Sequence, residues 1–324
     1  MKRNVSIIGA GAWGCALANY LINYKKSEVY LYPARKSTYD YIREFRTHPK
    51  LKDLTLKEEV KIKKEFDSCI TNSRYIVIAV SSKFVRSTLL KISHLIRDQI
   101  IISVCKGLEP KTLKTSSEII EEITNNKKIC VLSGPSLASE IERKLPAVLV
   151  AASEDQDIQN EVKTLFESKQ IKLKTSNRPK DVEIVASLKN IVAIASGYSE
   201  GCKYGENFKA ALMTDVINEL YRYCQNIKVS EEVFWGVAGL GDVIATASSN
   251  ESRNYQFGFF LASGLKENEI KDRIGMSIEG INILEILTHS IRNKIEEFPL
   301  IYNLWKLVNR ELTAFDFRAK YFEI

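Results

Sequence analysis

Asn4-Val5-Ser6-Ile7-Ile8-Gly9-Ala10-Gly11-Ala12-Trp13-Gly14 is the stretch on which the fold turns. Asn4–Ile8 is short, apolar and rich in β-branched residues, as a strand requires. Three glycines follow at G-x-G-x-x-G spacing, and the residues behind them predict a helix to about Ile22. At a strand-to-helix junction each glycine has a physical use. Gly9 permits the tight turn, Gly11 lets a pyrophosphate approach the backbone, and Gly14 lets the helix pack on the strand. The anion then rests on the N–H groups of the helix start. The spacing alone is a weak signal, because glycines also mark ordinary turns; its place behind a strand favours a dinucleotide site. Met1-Lys2-Arg3, with Ala16-Leu17-Ala18 further on, imitates a secretory leader. A leader's apolar core has no use for glycines at this spacing, so that reading is set aside.

Outward from this turn, Glu28–Tyr32 predicts a second strand. An acidic residue beyond it would favour NAD through the ribose hydroxyl. The chain instead runs Pro33-Ala34-Arg35-Lys36, with no acid before Asp40. Arg35 suits the 2′-phosphate of NADP, but a merely solvated basic pair fits equally, so NADP and NAD both stay open. Tyr75–Val80, Ile100–Val104 and Ile129–Leu132 are continuous apolar runs, expected of parallel strands buried on both faces. Ala147–Ala152 adds another strand, and helical patterns at Lys83–Ile96 and Thr112–Thr124 lie between. This alternation predicts an α/β Rossmann-like, doubly wound parallel sheet. Ligands bind such sheets beyond the carboxyl ends of the strands. Those ends carry Ser81-Ser82, Cys105-Lys106-Gly107 and Ser133-Gly134-Pro135-Ser136. Lys106, followed by glycine on that edge, reads as a substrate residue in preference to a surface lysine.

The second half has another texture. Val182–Gly197 predicts a long helix stopped by its glycine. Lys189 lies mid-helix, and its neighbours three and four residues away are Val185, Ala186, Val192 and Ala193. Burial of an ammonium is costly and lowers its pKa, which makes it a good proton donor and acceptor. A lysine that snorkels out of a core helix would give the same pattern, and the pattern does not separate the two. Asn190 adds a second polar group. Further on, Gly239-Leu240-Gly241-Asp242 supplies a carboxylate able to orient a lysine. Ser252-Arg253-Asn254 supplies a charged fork with hydroxyl and amide donors for a phosphate. Met276–Gly280 breaks the helical pattern, and Ile281–Ile291 and Leu300–Leu312 read as amphipathic helices. The expected organisation is a dinucleotide-binding domain over 1–180 and an all-helical C-terminal domain over 181–324.

Composition narrows the function classes. The chain has 324 residues, 45% hydrophobic and 27% charged, too long for one ordinary core and otherwise typical of a globular protein. The net charge of +7 is spread along the chain without a basic block or nucleic-acid motif, so it suits an anionic cofactor and a small phosphorylated substrate, and nucleic acid is not expected. Cys15, Cys69, Cys105, Cys130, Cys202 and Cys224 form no CxxC pair, which predicts free thiols in a reducing, cytoplasmic setting. His48, His94 and His289 are far apart, so no metal is expected. No apolar run is long enough for membrane insertion. Neither a G-x-S-x-G elbow nor a Walker loop is present.

Taken together and in order, GAGAWG at 9–14, CKGLE at 105–109, GPSLASE at 134–140, LKN at 188–190, GLGD at 239–242, SRN at 252–254 and IEG at 278–280 make the chain resemble the bacterial-type NAD(P)-dependent glycerol-3-phosphate dehydrogenases. The resemblance runs through nearly the whole length, and the joint order is far more specific than any one segment. It implies a Rossmann domain followed by a helical one with substrate between. It also implies hydride transfer between nicotinamide C4 and C2 of dihydroxyacetone phosphate or glycerol 3-phosphate, supplying phospholipid synthesis. Lys189, aided by Lys106 and Asp242, would be catalytic. Gly134, Ser136, Ser252, Arg253 and Asn254 would join these three in holding substrate. Beyond Gly9, Gly11 and Gly14, the implied cofactor contacts are Ala12, Trp13 and Arg35, then Lys106, Ala138, Arg253, Ser277 and Glu279. A homodimer is left open.

The chain departs from that pattern in places. Cys15 and Cys105 stand where threonine is usual, Leu137 where phenylalanine is, and Ser277 where valine is; Ser81-Ser82 lacks a common proline. None of these removes a reacting group. Two rivals are carried. A hydroxyacid or 6-phosphogluconate-type dehydrogenase would lack GPSxAxE and the GLGD…SRN stretch. A nonenzymatic nucleotide-sensing Rossmann protein would have little reason to keep Lys106, Lys189 and Asp242 together.

Overall fold

The computed structural model describes residues 4–49, 51–110, 112–275 and 277–323. Met1-Lys2-Arg3 of the leader-like start and Met276 of the Met276–Gly280 break lie outside them. The chain divides into two compact units. One comprises Met1–Glu109 with Lys114–Glu183, the other Pro110–Leu113 with Ile184–Ile324.

The described residues of the first unit contain ten strands: β1 Asn4–Ile8, β2 Glu28–Tyr32, β3 Thr47–His48, β4 Leu51–Thr55, β5 Lys61–Ile62, β6 Tyr75–Ile78, β7 Ile100–Ser103, β8 Ile129–Ser133, β9 Ala147–Ala152 and β10 Ile171–Ser176. β3 and β4 form a small ribbon, and the others form one sheet in the order β10-β9-β8-β7-β6-β1-β2-β5. β1 is central, with Val5 beside Val29 of β2 on one side and Tyr75 of β6 on the other, both parallel. The two-residue period of a strand sends successive side chains to opposite faces. Val5, Ile7, Tyr75, Val77, Ile100 and Ile102 enter one core, under the helices Ala12–Lys25 and Gln156–Phe166. Ile8, Ile76, Ile78 and Ile101 enter the other, under Val85–Ile92 and Ser116–Thr124. Coverage on both faces is why these strands are apolar at most positions, with Ser6 and Ser103 as buried polar exceptions.

The sheet differs from the expected one at one edge. β9 pairs antiparallel with β8, and parallel with β10. A parallel return needs a crossover of about a dozen residues or more, usually a full helix. The link from β8 holds only the short helix Ala138–Glu142. β10, absent from the sequence reading, completes that edge with alternating buried Ile171 and Leu173 and exposed Lys172 and Lys174. The helix expected over Lys83–Ile96 is Val85–Ile92 between two 3-10 turns. That expected over Thr112–Thr124 begins at Ser116, because Thr115 and Glu118 form a reciprocal capping box.

The described residues of the second unit contain helices and no strand. The glycine-stopped helix expected over Val182–Gly197 runs instead over Pro179–Gly201. Gly197 is a point of close approach. A Cβ there would lie 2.0 Å from the Tyr255 carbonyl oxygen, and one on Gly258 would lie 2.0 Å from that of Ile194. The helices Pro179–Gly201 and Arg253–Ala262 therefore cross backbone against backbone. The helices expected over Ile281–Ile291 and Leu300–Leu312 are Glu279–Ser290 and Pro299–Val308. Buried Glu219 accepts the N–H groups of Leu300 and Ile301, both at 2.9 Å, and so caps the second of these.

Candidate active site

In the first unit, Gly9 has φ +118° and Gly11 is the N-cap of Ala12–Lys25, with no side chain capping it. A Cβ on Gly11 would meet nothing within 4 Å, whereas one on Gly14 would lie 2.1 Å from the Gly9 carbonyl oxygen. The turn is thus packed tightly at Gly14 and open at Gly11. The first turn of the helix contains no acidic residue. Open space before an uncapped helix start is a fit for a pyrophosphate. Ala12 is partly exposed, and Trp13 packs its partly buried ring against the core. Arg35 is exposed at the N-cap of Lys36–Phe45, beyond β2. Ala138 starts the helix Ala138–Glu142 and packs partly buried against the same core.

The thiols that replace threonine keep a donor in place. Cys15 donates to the Ala10 carbonyl at 3.7 Å and Cys105 to that of Ile78 at 3.2 Å. Burial, with Glu142 adding to it, pushes the Cys15 thiol up to about 12, so it stays protonated and inert. All six cysteines are free thiols.

Lys106 follows the end of β7. Its Nζ donates to the Gly134 carbonyl at 3.2 Å and to Ser136 Oγ at 3.4 Å. Ser136 Oγ in turn donates to the Gly134 carbonyl at 2.9 Å. Gly134, at φ +123°, supplies a backbone conformation that side chains rarely adopt. Two strand ends therefore bring Lys106, Gly134 and Ser136 into one cluster.

In the second unit, Lys189 Nζ lies 2.6 Å from Asp242 Oδ1, with only 7% and 2% of the two side chains exposed. Lys189 does not snorkel. Val185, Ala186, Val192 and Ala193 are all buried around it. Desolvation of both charges is offset by their contact, an arrangement that collapses if one partner is lost. Asp242 begins the helix Asp242–Ala247 behind a wide π-type turn over Val237–Gly241. Such turns are frequent at functional sites. Thr246, one turn on, donates to Asp242 Oδ1 at 3.5 Å. The sequence reading missed Thr246, although its i, i+4 spacing from the aspartate was a usable signal.

Ser252, Arg253 and Asn254 lie at a helix start, not in a loop. Ser252 Oγ caps Arg253–Ala262 by accepting from Tyr255 N at 3.3 Å. Arg253 Nη1 donates to the Ser277 carbonyl at 2.9 Å and approaches Ser277 Oγ at 3.5 Å. Burial lowers the pKa of Arg253, and the Glu279 carboxylate opposes that shift. Asn254 ties three helices together. Its Nδ2 donates to Asn190 Oδ1 at 2.7 Å and its Oδ1 accepts Gly280 N at 2.9 Å. The structure thus gathers Arg253, Ser277 and Glu279 on one side of that helix start, and links Asn254 to the residue next to Lys189. Among the described residues no group of histidines, cysteines and carboxylates could hold a metal ion. No described helix is long and apolar enough to cross a membrane.

A mainly parallel sheet whose first strand ends in an open glycine turn, and a helical unit that buries a lysine against a carboxylate, fit a nicotinamide-dinucleotide dehydrogenase. Residues 4–159 match the model for the N-terminus of NAD-dependent glycerol-3-phosphate dehydrogenase and residues 180–317 the model for its C-terminus. The glycerol-3-phosphate dehydrogenase [NAD(P)+] 2 of Lactobacillus delbrueckii subsp. bulgaricus is 35% identical over 96% of this chain and 94% of that protein. The glycerol-3-phosphate dehydrogenase [NAD(P)+] of Clostridium botulinum is 37% identical over 94% and 92%. The crystal structure of glycerol-3-phosphate dehydrogenase from Coxiella burnetii superposes with a TM-score of 0.93 at 27% identity, covering 100% of this chain and 99% of that one. The chain belongs to the NAD-dependent glycerol-3-phosphate dehydrogenase family.

Proposed function

We propose that this chain interconverts dihydroxyacetone phosphate and sn-glycerol 3-phosphate with NAD or NADP, its first 180 residues serving the cofactor and 181–324 the substrate and the proton transfer. The observation that carries this reading is the buried Lys189–Asp242 pair at 2.6 Å. When bound, the reduced dinucleotide supplies the hydride for the C2 carbonyl. It would be held on the Gly9–Gly14 turn by Ala12 and Trp13, with Arg35, Ala138, Ser277 and Glu279 as further contacts.

Lys189 hands a proton to the C2 oxygen as negative charge develops there. Asp242 accepts from the amine, orients it and offsets its charge. Lys106, set by Gly134 and Ser136, adds positive potential beside the same oxygen and also reaches the cofactor. Arg253 holds the phosphate with Ser252, and Asn254 offers the amide N–H not used by Asn190. This fixes the carbonyl for reduction.

Six free thiols support a cytoplasmic setting. A homodimer would cover exposed apolar side chains such as Trp235 and Ile244. The test is direct: purified protein is mixed with dihydroxyacetone phosphate and either reduced cofactor, and nicotinamide absorbance is followed. Oxidation is expected, and its absence with both cofactors would overturn the proposal.

A further inference from the structure

Glu183 is a fully buried carboxylate that neither the glycine turn nor the Lys189–Asp242 pair accounts for; its residue is 2% exposed. It sits in the first turns of Pro179–Gly201, at the end of the first unit. Its two oxygens accept the backbone N–H of Ser117 at 3.1 and 3.2 Å, and Oε2 also accepts the Ser117 hydroxyl. Ser117 belongs to the first turn of the helix Ser116–Thr124, so the carboxylate lies where the helix dipole favours negative charge. Oε1 accepts a further bond from Ser103 Oγ at 3.4 Å. Ser103 is the last residue of β7, and the same hydroxyl accepts the Cys105 backbone N–H at 3.4 Å. Lys106 is the next residue.

We propose that Glu183 is a positioning residue that sets Lys106 by orienting the Ser103 hydroxyl, and this rests on the reading of Lys106 as part of the reaction. Above about pH 7 the Glu183 carboxyl is ionised and acceptor-only. It draws the Ser103 proton towards itself and leaves the oxygen lone pairs to receive the Cys105 N–H. That bond fixes the backbone one residue before the lysine, so Nζ arrives at Gly134 and Ser136. A second clasp acts on the far side of the loop. Arg86 donates to Glu109 at 2.8 and 2.9 Å and to Glu122 at 2.6 and 3.0 Å, holding Glu109 to the helix Ser116–Thr124. Burial pushes the Glu183 carboxyl up to about 7, against the hydrogen bonds from Ser117, Thr115 and Ser103. Charged groups at these two helix starts are paired: Lys180 with Glu118 at 2.7 Å, and Asp181 with Arg178, just before the helix, at 3.6 Å.

A double-mutant cycle tests this. E183Q and S103A are each made in the native chain and in K106M, and kcat, cofactor Kd, thermal midpoint and amide exchange at Cys105 and Lys106 are measured. In the native chain each variant should lower kcat by about 10- to 100-fold, the scale of a misplaced group, with cofactor Kd changed no more than in K106M. In K106M neither should lower it by more than about twofold. Exchange at Cys105 should accelerate in both variants. An equal loss in the two backgrounds, or unchanged exchange at Cys105, would overturn the proposal. S103A keeps the test open if E183Q does not fold. If the native chain shows no turnover, the assignment of the reaction fails, and amide exchange alone then decides the role of Glu183.

Discussion

The ammonium of Lys189 and the carboxylate of Asp242 meet at 2.6 Å with both side chains buried, so each offsets part of the other's lost hydration. K189A should leave cofactor binding nearly intact and lower turnover by at least ~10²-fold, the usual worth of a general acid. Single-turnover absorbance with saturating cofactor measures this, and near-normal turnover would remove Lys189 from the chemistry. D242A should also destabilise the fold, because it takes the carboxylate away from a buried cation. A stability loss of about 3–5 kcal/mol is expected by denaturant titration.

Arg253 is expected to act on substrate in the ground state. R253A should raise the substrate KM more than it lowers kcat. The Ser277 carbonyl also loses its partner in that variant, so cofactor Kd is measured alongside. Collapse of cofactor affinity with an unchanged substrate KM would assign Arg253 to the dinucleotide.

The crossing at Gly197 leaves no room for a methyl group. G197A places a Cβ 2.0 Å from a backbone carbonyl that cannot rotate away. The helices must separate, and a loss at or above the ~1–3 kcal/mol typical of overpacking is expected. Activity should fall too, because the same helix pair carries Asn190 and Asn254. A thermal midpoint equal to that of the native chain would contradict the close crossing.

Glu183 gives a pH dependence whose sign is fixed. Its folded pKa of about 7 is above the ordinary 4.5. Its contribution to stability is therefore fully present below about 4.5 and lost as pH rises through about 7. The native chain should lose up to about 3 kcal/mol over that window relative to E183Q, whose side chain does not titrate. Denaturant titrations of both proteins at about pH 5 and about pH 8 would show this as a difference of differences. Parallel pH curves would place the carboxyl in water.

Much of the sheet could be read from residues because its strands are buried twice, and double burial writes itself as unbroken apolar runs. β10 escaped because an edge strand alternates, and Ile171-Lys172-Leu173-Lys174 resembles a surface turn until it is read with a period of two. The direction of β9 escaped for a different reason: an apolar run has no polarity, and only the short link before it hinted at a reversal. Gly197 was misread as a stop because the sequence does not distinguish a glycine that ends a helix from one that admits a neighbour. Lys189 was found by its apolar neighbours, although those neighbours could not say whether its amine was buried. Glu183 gave no signal, since Lys180-Asp181-Val182-Glu183 looks like an ordinary solvated helix start. Asn254, taken only for a phosphate donor, also uses its amide oxygen and one amide N–H inside the protein.

The two rims of the eight-stranded sheet are both poor places for another strand to land. At one, β5 offers only Lys61 and Ile62; at the other, β10 raises Lys172 and Lys174 into solvent. Short rims and charged rims are how soluble sheets discourage accretion. Two copies of this chain would therefore not fuse their sheets into one continuous layer, and crowding in a concentrated solution should not seed fibrous growth from this domain.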